Sequence, residues 1–214
     1  MLVKQIPIRI SLKNYMYLIA CEKTFQTIAI DPLDSALCLK TAEDLGWSIK
    51  IVANTHHHHD HIGGNDKVIQ ATGAQLVAHT EAMEAIPNVD RGLDAGDILK
   101  CGELVLEIMD TPGHTMTHIC LLSKTDKPAL FSGDTLFNAG AGNCHNGGHP
   151  EELYETFHRQ FQNLPDTTLI YPGHDYLKNN LEFTLDIEPN NEQAQKLLNS
   201  LKNSEPGGVI TNLQ

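Results

Sequence analysis

The sequence predicts an α/β fold in which two packed sheets carry helices on their outer faces. Three observations support this. Short β-rich segments recur along nearly the whole chain, helical segments fall between them, and several strands run into a turn that holds a histidine or an aspartate. At 214 residues the chain is long enough for one large α/β domain and buries a core without staples.

Val3–Ile10, Tyr15–Ala20 and Gln26–Ile30 read as strands separated by turn residues. Pro32–Leu45 reads as a helix, with Asp31 or Asp34 near its start and Gly46 at its end. Ile49–Ala53 is an apolar run and a buried strand. A helix over Asp60–Ala71 and a strand over Gln75–Ala78 follow. Further strands are expected at Ile98–Lys100, Leu104–Met109, Ile119–Ser123 and Ala129–Phe131. Glu151–Asn163 is a helix and Thr168–Tyr171 the last strand. Helices near Tyr176–Leu185 and Asn191–Leu201 close the chain, and Ser204–Gln214, with its Pro-Gly-Gly, is a loop or tail. Residues 1–174 are expected to form the catalytic domain and 175–214 a short helical extension packed on it.

Composition narrows the function. The 15 basic and 27 acidic side chains give a formal net charge of −12, whereas nucleic acid and anionic membranes both call for a basic footprint. No stretch approaches the roughly 20 apolar residues of a membrane helix, and the first twenty residues lack the apolar core of a signal peptide. The five cysteines are scattered, without CxxC spacing, which points to a reducing cytoplasm. The unusual number is twelve histidines, the commonest metal-binding side chain.

Their placement is informative. THHHHDHIGG, Thr55–Gly64, joins a strand to a helix. In an extended segment His56 and His58 point one way, His57 and His59 the other. Asp60 and His61 sit where the helix begins, and a carboxylate is favoured there. DTPGHTMTH (Asp110–His118), FSGDTLF (Phe131–Phe137) and YPGH (Tyr171–His174) each place one more donor, His114, Asp134 and His174, at a strand end. Any one of these is an ordinary turn residue. Together with the first motif they make five histidines and two aspartates, enough for two divalent metal ions. Imidazole with carboxylate suits zinc first, and iron or manganese as well.

The series THHHHDHIGG, TPGHT, GDTLF and PGH, with NYMYLI at Asn14–Ile19, IDP at Ile30–Pro32 and the NNLEF and EPNN of Tyr176–Asn191, resembles the metallo-β-lactamase superfamily. It is most similar to glyoxalase II, the hydroxyacylglutathione hydrolases. The resemblance implies an αββα sandwich of two mixed β-sheets flanked by helices, with the site at one edge. It implies that His56, His58 and His114 bind one metal, that Asp60, His61 and His174 bind a second, and that Asp134 bridges them. Two metals about 3.5 Å apart hold a nucleophilic hydroxide at neutral pH, which Asp60 would orient. The expected substrate is a small thioester, S-D-lactoylglutathione or a relative, since a thiolate of pKa near 8.5 leaves without an acid.

The departures concern substrate. After GDTLF the family carries a Cys-Gly-Lys/Arg stretch with an aromatic pair. Here Asn143 stands at the basic position and His145 at the aromatic one, beside Cys144. Tyr176 matches a family tyrosine that contacts glutathione, and Lys178 lies nearby. The family's C-terminal helical region, with its basic glutathione-binding residues, is mostly absent from this sequence. Competing readings are a mononuclear iron persulfide dioxygenase using His58 or His56 with His114 and Asp134, an ester or lactone hydrolase of the same fold, and a non-catalytic metal-stabilised protein.

Overall fold

The computed structural model describes residues 1–201 and 211–213. The chain begins with strands β1 (Leu2–Pro7), β2 (Tyr15–Ala20) and β3 (Gln26–Ile30), followed by helix α1 (Ser35–Leu45) and strand β4 (Ser48–Ala53). Two short helices, α2 (His59–Ile62) and α3 (Asn65–Thr72), lead to β5 (Gln75–His79) and β6 (Arg91–Leu93). The second half holds β7 (Ile98–Cys101), β8 (Leu104–Asp110), β9 (Ile119–Ser123), β10 (Ala129–Gly133) and the small hairpin β11 (Leu136–Phe137) and β12 (Gly140–Ala141). Helix α4 (Pro150–Arg159), β13 (Leu169–Pro172), α5 (Leu177–Ile187), α6 (Glu192–Leu201) and β14 (Thr211–Asn212) complete it.

One sheet runs β1-β2-β3-β4-β5-β6, and the other β14-β13-β10-β9-β8-β7. Both are mixed: β3, β4, β5 and β6 pair in parallel, as do β10 and β13, while the remaining pairs are antiparallel. Strand β2 shows why the sheets stack. All six of its residues are buried. Tyr15, Tyr17 and Ile19 face the second sheet beside Leu106, Leu121, Phe131 and Tyr171, whereas Met16 and Leu18 lie under Cys38 and Ala42 of α1 and Val68 of α3. A strand buried on both faces reads as an unbroken apolar run. On the outer face of the second sheet, Cys120, Leu122, Leu130 and Ile170 pack under Phe157 and Phe161. Helices α5 and α6 share a separate small core of Leu177, Leu181 and Ala194. The layers are the expected αββα arrangement.

Several boundaries differ from expectation. The helix read over Asp60–Ala71 is two helices, because the chain crosses Pro32 at Gly64, where a Cβ would lie 1.8 Å from the Pro32 carbonyl oxygen. Strand β6 and the hairpin β11–β12 are additional. Asp34, accepting the Leu37 N–H, caps α1, which leaves Asp31 free for another role. The tail read over Ser204–Gln214 falls mostly outside the described residues, but Thr211–Asn212 pairs with Leu169–Ile170 as an added edge strand.

Candidate metal centre

Every sequence-predicted donor arrives at one edge of the sandwich. The loop after β4 brings His56, the start of α2 brings His58, Asp60 and His61, and the turns after β8, β10 and β13 bring His114, Asp134 and His174. The core reaches directly into these turns. Tyr17, packed edge-on against Phe131 and Tyr171, donates its hydroxyl to the Pro172 carbonyl at 2.6 Å. Gly173 then passes so near the centre that a Cβ would sit 2.1 Å from Asp134 Oδ1.

Two groups of donors result. His56 Nε2 and His114 Nε2 each lie 3.1 Å from His58 Nδ1. Asp60 Oδ2 lies 3.6 Å from His61 Nε2 and 3.5 Å from His174 Nε2, and those two nitrogens are 3.3 Å apart. Asp134 stands between the groups. Its Oδ2 is 3.6 Å from His114 Nε2 and 3.0 Å from His174 Nε2, and its Oδ1 is 3.5 Å from His61 Nε2. His57 turns instead to Thr117 Oγ1, and His59 is exposed.

The outward ring nitrogens decide what the inward ones offer. His174 Nδ1 faces the Leu12 carbonyl at 2.7 Å, His114 Nδ1 the Asn143 carbonyl at 2.6 Å, and His58 Nε2 the Asn146 carbonyl at 3.0 Å. A carbonyl only accepts, so each outward nitrogen is the protonated one. His61 Nδ1 lies 3.0 Å from Asp31 Oδ2. The Thr55 hydroxyl donates to the same oxygen at 2.7 Å and so accepts from His56 Nδ1 at 3.0 Å. In its neutral form each of the five imidazoles therefore turns a bare lone pair inward. Lone pairs at such distances repel unless a cation lies between them. The buried Asp134 Oδ1, which has no hydrogen-bond donor, likewise asks for one. The donor set fits divalent metal.

Electrostatics agree. In the metal-free protein, burial disfavours charge on His61, but Asp134, Asp31 and Asp60 outweigh it and push its pKa up to about 9. A proton there does part of a cation's work. Burial would raise the Asp134 carboxyl, yet His61, His174 and His114 hold it well below the ordinary carboxylate range. Burial drives His56 and His114 down, and histidine neighbours add to this. Asp60 is lowered against burial by His61 and by Asn14, whose Nδ2 donates to its Oδ2 at 2.9 Å.

Sequence reasoning missed Asp31, Thr55, Asn14 and His118 as supports. His118 had a visible signal, a second histidine four residues after His114. Of the expected substrate contacts, Tyr176 is at the site, half-buried and stacked on His174 with centroids 4.8 Å apart. Asn143 and His145 are exposed on their loop, where Asn143 Oδ1 accepts the His145 N–H at 3.1 Å. Lys178 points outward, with its side chain 68% exposed and paired to Glu182.

The profile of the Metallo-beta-lactamase superfamily matches residues 21–174. This chain belongs to that superfamily. Within it, the hydroxyacylglutathione hydrolase of Polaromonas sp. is 56% identical over all of this chain and 82% of its own length. That of Nitrosococcus oceani is 53% identical over 96% of this chain and 79% of its own. Among solved metallo-beta-lactamase folds, ETHE1 from Myxococcus xanthus superposes with a TM-score of 0.74 at 28% identity, covering 98% of this chain and 95% of that one. Membership brings a divalent metal site, and among the described residues three overlapping groups could hold an ion: His56, His58 and His114; Asp60, His61 and His174; and Asp31, His56 and His61.

Proposed function

We propose that the chain hydrolyses S-D-lactoylglutathione, or a closely related acyl thioester, with two divalent metal ions, zinc foremost and iron or manganese as alternatives. The observation that carries the reading is the Asp134 carboxylate shared between two histidine groups. Two relatives above 50% identity, both named hydroxyacylglutathione hydrolase, support the substrate class. In this reading His56, His58 and His114 hold one ion, Asp60, His61 and His174 the other, and Asp134 both. Once bound, such ions supply Lewis acidity and an activated water nucleophile near neutral pH.

The chain's own residues do the rest. Asp60, restrained by Asn14 and only partly buried, orients the attacking water. The fixed tautomers keep the rings aimed without rearrangement, and His61 gives up its inward proton when metal binds. The departing thiolate, of ordinary pKa near 8.5, needs no proton donor. Tyr176 borders the place of the thiol half, and Asn143 and His145, on the loop behind His114, are its further contacts. Residues 1–174 carry the chemistry, and helices α5 and α6 belong to a short extension packed on the same domain. A formal charge of −12 argues against nucleic acid and anionic membranes as partners. No helix among the described residues is long and apolar enough to cross a membrane. Five unpaired cysteines suit a reducing cytoplasm.

The test compares metal-reconstituted protein on S-D-lactoylglutathione and on the same acyl group carried by a non-glutathione thiol. The glutathione ester should be preferred by about tenfold or more, the size of one charge-assisted contact. Equal or reversed rates would reject glutathione as the thiol. No turnover of either would reject thioester hydrolysis.

A further inference from the structure

His118 is fully buried at the centre yet offers neither ring nitrogen to the two donor groups. Its Nε2 accepts the backbone N–H of Asp134 at 3.1 Å. Its Nδ1 faces the Thr111 hydroxyl at 3.0 Å. A backbone N–H only donates, so Nε2 carries the lone pair and Nδ1 the proton. The ring lies nearly parallel to His56, with centroids 5.1 Å apart and planes at 22°, and edge-on to His114 at 6.3 Å. Gly133, at φ +48°, presses the chain against it, since a Cβ there would sit 2.7 Å from His118 Nε2. The backbone that delivers Asp134 thus rests on one edge of this ring, and His56 rests on its face.

We propose that His118 is a positioning residue, whose neutral ring sets how far the Asp134 carboxylate reaches between the two histidine groups and holds the plane of His56. The inference rests on the reading of Asp134 as a shared metal ligand. The chemistry accounts for the residue type. Phenylalanine would supply the flat face but leave a buried N–H without an acceptor. Glutamine would supply an acceptor without the face. A carboxylate would accept the N–H but place a second negative charge beside Asp134. Neutral imidazole combines a face, an acceptor on one edge and a donor on the other.

The experiment measures zinc affinity by chelator competition, with kcat and KM, for the unmutated protein, His118→Phe and His118→Gln. His118→Phe should bind its weaker zinc about 10–100-fold less tightly, with kcat reduced and KM little changed. His118→Gln, returning an acceptor near the Nε2 position, should recover much of that loss. Unchanged affinity and kcat in His118→Phe would overturn the proposal. So would a glutamine variant no better than phenylalanine, since the role would then be packing alone. If circular dichroism shows His118→Phe unfolded, Thr111→Val decides. It removes the hydroxyl that keeps the proton on Nδ1, so affinity should fall, and unchanged affinity there counts against the proposal. The zinc stoichiometry of the unmutated protein tests the two-metal reading separately. Fewer than two equivalents would sink that reading, whereas the ratio of variant to parent tests His118 at either count.

Discussion

Asp134 draws its importance from contact with both histidine groups. Asp134→Ala should lose metal and activity together, by more than the roughly 10–100-fold that removal of a supporting hydrogen bond costs. Elemental analysis beside kinetics checks this, and full metal with full activity would refute the assignment. Thr55→Val keeps the side-chain shape but cuts the relay from Asp31 to His56. It should weaken zinc binding about 10–100-fold in a chelator competition, whereas His59→Ala, on an exposed side chain, should leave it unchanged. The seven candidate donors that the structure gathers were legible in the sequence because a ligand's chemistry resides in its own side chain and four of them share one short motif. Asp31 was not. From sequence it is one of two aspartates before a helix, and only the folded chain sets it 3.0 Å from His61, thirty positions away. The expected substrate contacts could be named only as departures from a pattern, because reaching a ligand depends on where a loop points.

At the scale of elements, the strands with both faces buried were the easiest to read, and β2, β3 and β9 stand where their apolar runs place them. Elements whose reason is a distant neighbour were harder. Strand β6 has three residues and only Leu93 buried, so its sequence carries almost no pattern. The break between α2 and α3 exists because of Pro32. Gly64→Ala should therefore push that crossing apart and destabilise the fold by about 3 kcal/mol, at the upper end of single-residue effects, as read from urea denaturation. The two sheets also meet in an ion pair, His79 at the end of β5 with Asp110 at the end of β8, at 3.4 Å. The Asp110 carboxylate beside it raises the His79 pKa against the effect of burial, and Glu81 and Asp94 add to it. A folded pKa above the unfolded value of about 6.5 stabilises fully below that pH, and the benefit is lost as pH rises through the folded value. Melting of metal-free protein should accordingly fall less between pH 6 and 8.5 in His79→Gln than in the parent. Identical pH slopes would exclude the pair as a contributor.

For the whole molecule, the centre joins its two halves. The first sheet supplies Asp31 and the His56–His61 donors, and the second supplies His114, Asp134 and His174. Metal bound there ties one sheet to the other and favours the folded state alone. At a thousand times its dissociation constant, such a ligand contributes about 4 kcal/mol. For a chain of this size that corresponds to roughly 8–16 °C in Tm. Calorimetry with and without chelator should show a drop of that order, and a Tm indifferent to chelation would argue against a metal shared between the sheets.

Three of the five imidazoles are fixed from behind by main-chain carbonyls, those of Leu12, Asn143 and Asn146. Every amino acid carries that group. The identity of residues 143–146 can therefore drift over generations while the rings stay in place, provided the loop keeps its path. A randomised library across those four positions should yield many variants that retain hydrolysis and differ in the thiol they accept. The fold leaves the side chains of this loop evolvable beside rings that are held constant.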